Sequence, residues 1–472
     1  MKGWMLQLYH GLPVPARSVA ASLRGYYLRW WRYGPETEQI VAEALEREGW
    51  SEQRWRSWQQ ERLAILLHHA ATQVPYYREQ WAARRLRGDR ASWEYLENWP
   101  ILEKEAIRQA PAAFLADGCD PRRMYHLHTS GTTGKSLDLW WSRKTARNWY
   151  GLFEARVKRW NSVSTRERWA ILGGQIVTPA SQSRPPFWVW NSALNQLYMS
   201  SYHLAPRLIP HYLDALRRYR IKYILGYTSS LYALAQEILW AGHERVKMAV
   251  VITNAEPVPD YQREAISQAF ECPVRETYGM AEIVVSASEC PEGNLHLWPE
   301  AGWLEVLEED QAAERGAVGE MVCTGFLNLD MPLVRYRAGD RGATGEEGAR
   351  CSCGRRLPML AAVEGRIDDV LYTADGRRIG RLDPVFKSRL PIREAQIIQE
   401  ALDKVRVRYV PAPDFTMDAG RSIIEQLQMR MGSVEVTLEQ LSEIPRGANG
   451  KLRGVICKLP AEQRRTLEKA RR

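Results

Sequence analysis

The sequence predicts an α/β protein: a large domain of layered sheets and helices, followed by a small α+β domain. Three observations carry this expectation. From about residue 100, short β-rich runs such as YILGY and MAVVIT alternate with helical stretches such as SSLYALAQEIL and DYQREAISQAF. Such alternation builds a largely parallel sheet with helices on its faces. Near residue 300 the texture changes to WLEVLEE and GEMVCTGF, which read as antiparallel strands. Beyond GRIDD at Gly365, strand-like KVRVRYVP and SVEVTLEQL flank a helix-like RSIIEQLQMRM.

Taken in order, residues 1–50 read as a basic and aromatic helical arm. Its centre, SLRGYYLRWWRYG from Ser22 to Gly34, mixes Arg24, Arg29 and Arg32 with Tyr26, Tyr27, Leu28, Trp30 and Trp31. Basic residues among aromatics can hold a segment at a membrane surface. The simpler reading is a helix packed on the body, its arginine stems covering apolar rings. Residues 51–365 form the large domain and 366–472 the small one. Residues 36–81 read as helical. Leu63, Leu66, Leu67 and Ala70 recur at the spacing of one buried face, and Pro75 interrupts the helix at Val74.

Composition narrows the function. The 472 residues allow roughly two to four domains. With 45% hydrophobic and 26% charged residues a sizeable core is expected. No run approaches the roughly 18 apolar residues of a spanning helix, and the N-terminus lacks a signal-peptide pattern. Seven cysteines, an odd number, do not suggest a disulfide scaffold, so a reducing cytoplasm is expected. The net charge of +9 is spread along the chain without a nucleic-acid module, so no nucleic-acid partner is expected.

The most informative stretch is HTSGTTGKSLDLWW, starting at His128. Gly134, Lys135 and Ser136 end it as a P-loop would end, but the first glycine of that motif would fall at Thr129, so the P-loop fails. Thr129, Ser130, Gly131, Thr132, Thr133 and Gly134 still supply hydroxyls, backbone N–H groups and Cβ-free positions, the means of wrapping a polyphosphate.

TSGTTGK resembles the phosphate loop of the AMP-forming adenylating enzymes. Four more stretches resemble that family in the same order: TYGMAE from Thr277, RYRAGD from Arg335, GRIDD from Gly365 and PRGANGK from Pro445. TNAEPV at Thr253 and QQERLAILLHHAATQVPYYRE at Gln59 resemble the phenylacetate–CoA ligases, and more closely the branch associated with capsular polysaccharide genes. The resemblance implies an ATP-dependent acid ligase whose small domain is mobile. Residues 129–135 would hold phosphates. Glu282 would recruit Mg²⁺, and Asp340 would hold the ribose. Arg366 would add positive charge, and Lys451 would bridge the substrate carboxylate and the nucleotide. Ala255, Glu256 and Pro257 would line the adenine slot. Tyr278, followed by Gly279, would stack on the base. Asp368 matches the pivot about which the small domain turns to admit the acceptor, often the thiol of coenzyme A.

Two positions depart from the pattern. Ala281 stands where a Ser or Thr would donate to the α-phosphate, and Ser136 replaces a common Pro. Gly173, Gly174, Gly226 and Tyr227 are the expected walls of the acid pocket. Cys290, His296, Cys351 and Cys353 offer three thiolates and one imidazole, a complete tetrahedral set for structural Zn²⁺. Cys119, Cys272, Cys323 and Cys457 read as ordinary buried residues. Transfer to an amine, sugar or carrier protein, or a non-catalytic scaffold, are the competing expectations.

Overall fold

A computed structural model of the chain describes residues 8–128, 137–175, 177–179, 182–346, 348–366, 371–374, 378–379, 391–446 and 452–470. A two-stranded ribbon, β1 (Tyr125–His128) and β2 (Asp138–Trp141), comes first. It pairs His128 with Asp138, so it frames both ends of the Gly-rich stretch. That stretch, residues 129–136, lies outside the described residues.

The large sheet has thirteen strands among the described residues. Its parallel part holds β3 (Trp169–Gly173), β5 (Gln196–Ser200), β6 (Tyr223–Tyr227), β7 (Val250–Asn254) and β8 (Val274–Gly279). They lie in the order β8-β7-β6-β3-β5, with β4 (Trp188–Asn191) antiparallel at the edge. The runs YILGY and MAVVIT become β6 and β7. The helices Thr228–Trp240 and Asp260–Phe270 follow them as crossovers, as the alternation predicts. Buried Ile224, Leu231, Leu234, Val251, Ile266 and Phe270 pack in one cluster between sheet and helices.

Beyond β8 the sheet turns antiparallel. It continues through β9 (Ser286–Glu289), β10 (Leu295–Leu297), β15 (Met359–Arg366), β14 (Tyr336–Thr344), β13 (Gly319–Gly325), β11 (Gly302–Glu308) and β12 (Gln311–Ala312). The change of texture near residue 300 is this second half.

The sheet's β4 edge is covered by the arm. The helix Val14–Arg32 lies against β4, where the Trp190 amide donates to Ser18 Oγ and the Ser192 amide to Ser22 Oγ. Gly25 faces Asn191 so closely that a Cβ there would meet its side-chain oxygen at 2.0 Å. The helices Thr37–Arg47, Glu52–Gln73 and Pro75–Leu86 follow. Ser51 caps the second of these by accepting from the Arg54 amide, and the expected break falls at Val74. Pro75 opens the next helix, at the first-turn position proline tolerates.

A two-stranded ribbon, β16 (Leu371–Tyr372) with β17 (Arg378–Ile379), follows the large sheet. The small domain then folds as a four-stranded sheet in the order β20-β19-β18-β21. Its strands are β18 (Ile392–Ala401), β19 (Lys404–Pro411), β20 (Glu435–Gln440) and β21 (Val455–Cys457). The helix Met417–Met431 packs Ile423 and Leu427 onto it. Two of the four remaining cysteines differ from expectation. Cys272 and Cys323 are buried, but Cys119, in the loop after Phe114, and Cys457, on the edge strand β21, are half-buried.

Candidate active site

In an open sheet with parallel strands, ligands bind outside the carboxyl ends of the strands, where the strand order reverses. Here β3, β6, β7 and β8 end side by side. The register places Gly226 beside Leu172, Tyr227 beside Asn254, and Asn254 beside Thr277. Gly173, Gly174, Tyr227, Ala255, Tyr278 and Gly279 therefore share one rim, although they span more than a hundred residues of chain.

Tyrosines cluster around Gly173 and Gly174 on this rim. The Tyr202 hydroxyl donates to the Gly174 carbonyl (2.9 Å), and Ser201 Oγ donates to the Gly173 carbonyl (3.1 Å). A Cβ on Gly173 would lie 2.8 Å from the Tyr198 hydroxyl. Burial pushes the Tyr227 hydroxyl above its ordinary value, with the neighbouring Glu256 charge adding to the shift. Gly226 has a packing reason of its own: its missing Cβ admits the Leu172 carbonyl, which a side chain would meet at 2.5 Å.

After β7, Ala255 adopts a left-handed backbone, φ +63°, a strained geometry for a residue with a Cβ. The Glu256 carboxylate takes the Ser229 amide at 2.7 Å and Ser229 Oγ at 3.1 Å. It thus caps the helix Thr228–Trp240, where a carboxylate also meets the positive end of the helix dipole. Tyr278 donates its hydroxyl to Asp340 Oδ2 at 2.8 Å, linking the TYGMAE and RYRAGD motifs. Glu282 is joined to the second motif as well: the hydroxyl of Tyr336, a fully buried residue, donates to Glu282 Oε1 at 2.7 Å. Asp340 pairs in register with Arg366, so the backbone carries Arg366 to the same strand pair. Residues 129–135, Asp368 and Lys451 lie outside the described residues.

The small domain leans on the helix that Glu256 caps. Arg393 pairs with Glu237 (3.1 Å) and lies over the Trp240 ring, while Arg446 of the PRGANGK motif bonds Glu394 and reaches Ser229 Oγ at 3.5 Å.

Cys290, His296, Cys351 and Cys353 also converge, their ligand atoms all within 4.8 Å of one another. Cys290 Sγ lies 3.6 Å from Cys351 Sγ, and Cys353 Sγ lies 3.4 Å from His296 Nε2. Bond lengths of about 2.3 Å to sulfur and about 2.0 Å to nitrogen in a tetrahedron give edges of about 3.8 and about 3.5 Å. His296 Nδ1 lies 3.2 Å from the Leu357 carbonyl, which holds the proton there and turns the Nε2 lone pair toward the thiols. Asn294 Nδ2 donates to Cys351 Sγ at 3.2 Å. The donor set fits a closed tetrahedral metal site.

Comparison with solved structures gives 2-hydroxyisobutyryl-CoA ligase, in the postadenylation state in complex with 2-HIB-AMP, at a TM-score of 0.64. The identity is 19%, covering 90% of this chain and 94% of that one. The same enzyme in the thioesterification state, with 2-HIB-AMP and CoA, scores 0.54 at 19% identity over 87% and 91%. The fold is that of the AMP-forming CoA ligases. Within this ligase fold, residues 371–458 match the family described as the CapK C-terminal domain. Protein CapK of Staphylococcus aureus is 24% identical over 95% of this chain and 98% of its own length. The phenylacetate-coenzyme A ligase of Thermus thermophilus is also 24% identical, over 90% and 99%.

Three residues of the ligase fold were not singled out from sequence. Tyr336 sits inside the quoted RYRAGD motif, so its signal was at hand. Arg446 likewise sits inside PRGANGK. Lys104, whose Nζ donates to the Ala338 carbonyl at 2.9 Å beneath the Asp340 strand, has no local pattern to betray it.

Proposed function

We propose that this protein activates a carboxylic acid with ATP and passes the acyl group to coenzyme A. A substrate carboxylate oxygen attacks the α-phosphorus, and the bond to pyrophosphate breaks. The thiol of coenzyme A, losing its proton, then attacks the acyl carbon and expels AMP. The observation that supports this most is the meeting of Tyr278 with Asp340 and of Tyr336 with Glu282 at the carboxyl ends of parallel strands. Two anions must meet in the first step, so the site must supply compensating charge. Residues 129–135 cradle the β- and γ-phosphates, and Asp340 accepts from the ribose diol. Ala255, Glu256 and Pro257 border the adenine, the last two chiefly through backbone because the Glu256 carboxylate is engaged. Tyr278 packs on the base. Glu282, oriented by Tyr336, holds Mg²⁺, which prefers oxygen ligands and phosphate. Arg366 and Lys451 supply positive charge at the reacting groups, and Asp368 is the hinge.

The acid is aryl or otherwise apolar, on the strength of Tyr198, Tyr202 and Tyr227 around Gly173 and Gly174. The Cys290, His296, Cys351, Cys353 set holds structural Zn²⁺ with no position open to substrate.

The experiment is acid-dependent pyrophosphate release across aryl, fatty and sugar acids, with and without coenzyme A. Release with one class, reduced about a hundredfold or more by Lys451→Ala, and thioester formation when coenzyme A is added, are expected. ATP binding without release by any acid would sink the ligase reading. Release with transfer only to an amine, sugar or carrier would change the acceptor.

A further inference from the structure

The helix Val14–Arg32 spends one face on the edge strand and leaves the other bare. Val19, Leu23, Tyr26, Tyr27 and Trp30 are 59, 67, 59, 48 and 48% exposed. At 3.6 residues per turn these five fall within an arc of about 100°, a single apolar stripe rather than scattered exposure. A contiguous apolar strip of this kind marks an interaction surface. The helix packs on the body, as one reading of the arm expects, and presents aromatic residues outward.

The surroundings of the stripe are predominantly basic. Residues 1–35 contain no Asp or Glu. Exposed Arg24 and Arg29 flank the stripe on its two sides, and exposed Arg143 lies 3.6 Å over the Trp30 ring. Leucine, tyrosine and tryptophan on one helix face with arginine at the margins is the composition of a helix lying in a lipid interface. Anionic headgroups meet the arginines while the rings enter the boundary between headgroup and acyl chain.

We propose that this face of Val14–Arg32 binds the surface of an anionic lipid bilayer, with the helix lying in the plane of the interface. The occupant follows from charge: Arg24, Arg29 and Arg143 border the stripe, and the nearby Glu36 is paired with Arg147. The binding is independent of the acid the enzyme takes.

The test uses the whole chain and sedimentation with phosphatidylcholine vesicles, with and without phosphatidylglycerol. Binding to the phosphatidylglycerol vesicles, weakened by salt, is expected. The Leu23→Glu, Tyr26→Glu double variant should lose at least about tenfold in partitioning, with its unfolding temperature unchanged because both side chains project into solvent. Arg24→Gln with Arg29→Gln should weaken binding to the anionic vesicles alone. A wild type that stays in the supernatant with phosphatidylglycerol vesicles overturns the proposal, as does a folded double-glutamate variant that binds as well as wild type. Self-association without vesicle binding, abolished by that variant, would overturn it by assigning the stripe to a second copy.

Discussion

Tyr336 holds the position of Glu282, and it does so from a fully buried site. Tyr336→Phe removes the donor and leaves Oε1 without it. The stability cost should be about 1 kcal/mol. The larger effect is expected in catalysis: a loss of about tenfold in adenylation rate, with more Mg²⁺ needed for half-maximal release, read by titrating Mg²⁺ in the pyrophosphate assay. Glu276, two residues before Tyr278, is a different kind of residue. Burial first, and then the charge of Glu289, push its carboxyl up to about 7, against the pull of Arg263. As pH rises past the ordinary carboxylate range the unfolded chain ionises first, while the folded chain keeps the proton. Stability is therefore lost between about 4.5 and about 7. In Glu276→Gln that loss should vanish. Denaturant melts should show the variant gaining on wild type across this window, by on the order of 2 kcal/mol after allowing for the partial exposure of Glu276.

At the scale of elements, Gly226 fixes how closely β6 lies to β3. Gly226→Ala would drive a methyl into the Leu172 carbonyl on the neighbouring strand, at 2.5 Å. A cost of about 1–3 kcal/mol is expected, read as a lower unfolding midpoint. Elements like β6 and β7 were legible because a parallel strand buried on both faces is a short apolar run between helices. The break at Val74 was legible because proline acts locally. Strand order was not legible. Nothing in YILGY says that β3 lies on one side of it and β7 on the other. The same limit applies to the site. The Tyr278–Asp340 and Tyr336–Glu282 bonds join residues 62 and 54 positions apart, and Arg446 reaches Ser229 across 217. Motif resemblance named the candidate residues. Their pairing is a property of the folded sheet. The Cys and His set was legible for the opposite reason, since four soft ligands have a chemistry that survives without knowledge of the fold.

At the scale of the whole molecule, the Cys and His cluster joins the end of β9 to the loop before β15, on either side of β10, which pairs with both strands. Metal analysis of the purified chain should give one zinc per molecule. Cys290→Ala or prolonged chelation should lower the unfolding temperature by several degrees, because binding to the folded state is folding free energy. Acid activation should fall only as far as the folded fraction falls, since the set leaves no position for substrate.

The serine contacts between the arm and the edge strand decide what a shortened chain would do. With Val14–Arg32 in place, the Trp190 and Ser192 amides are satisfied and the open side of β4 is screened. Removing residues 1–35 would bare a strand carrying Trp188 and Trp190, a surface on which another chain can add itself. The expected product is not a minimal ligase but a sticky one, visible as scattering that grows with concentration. The arm is therefore a guard on the sheet as well as an outward face, and the two duties fall on opposite sides of one helix.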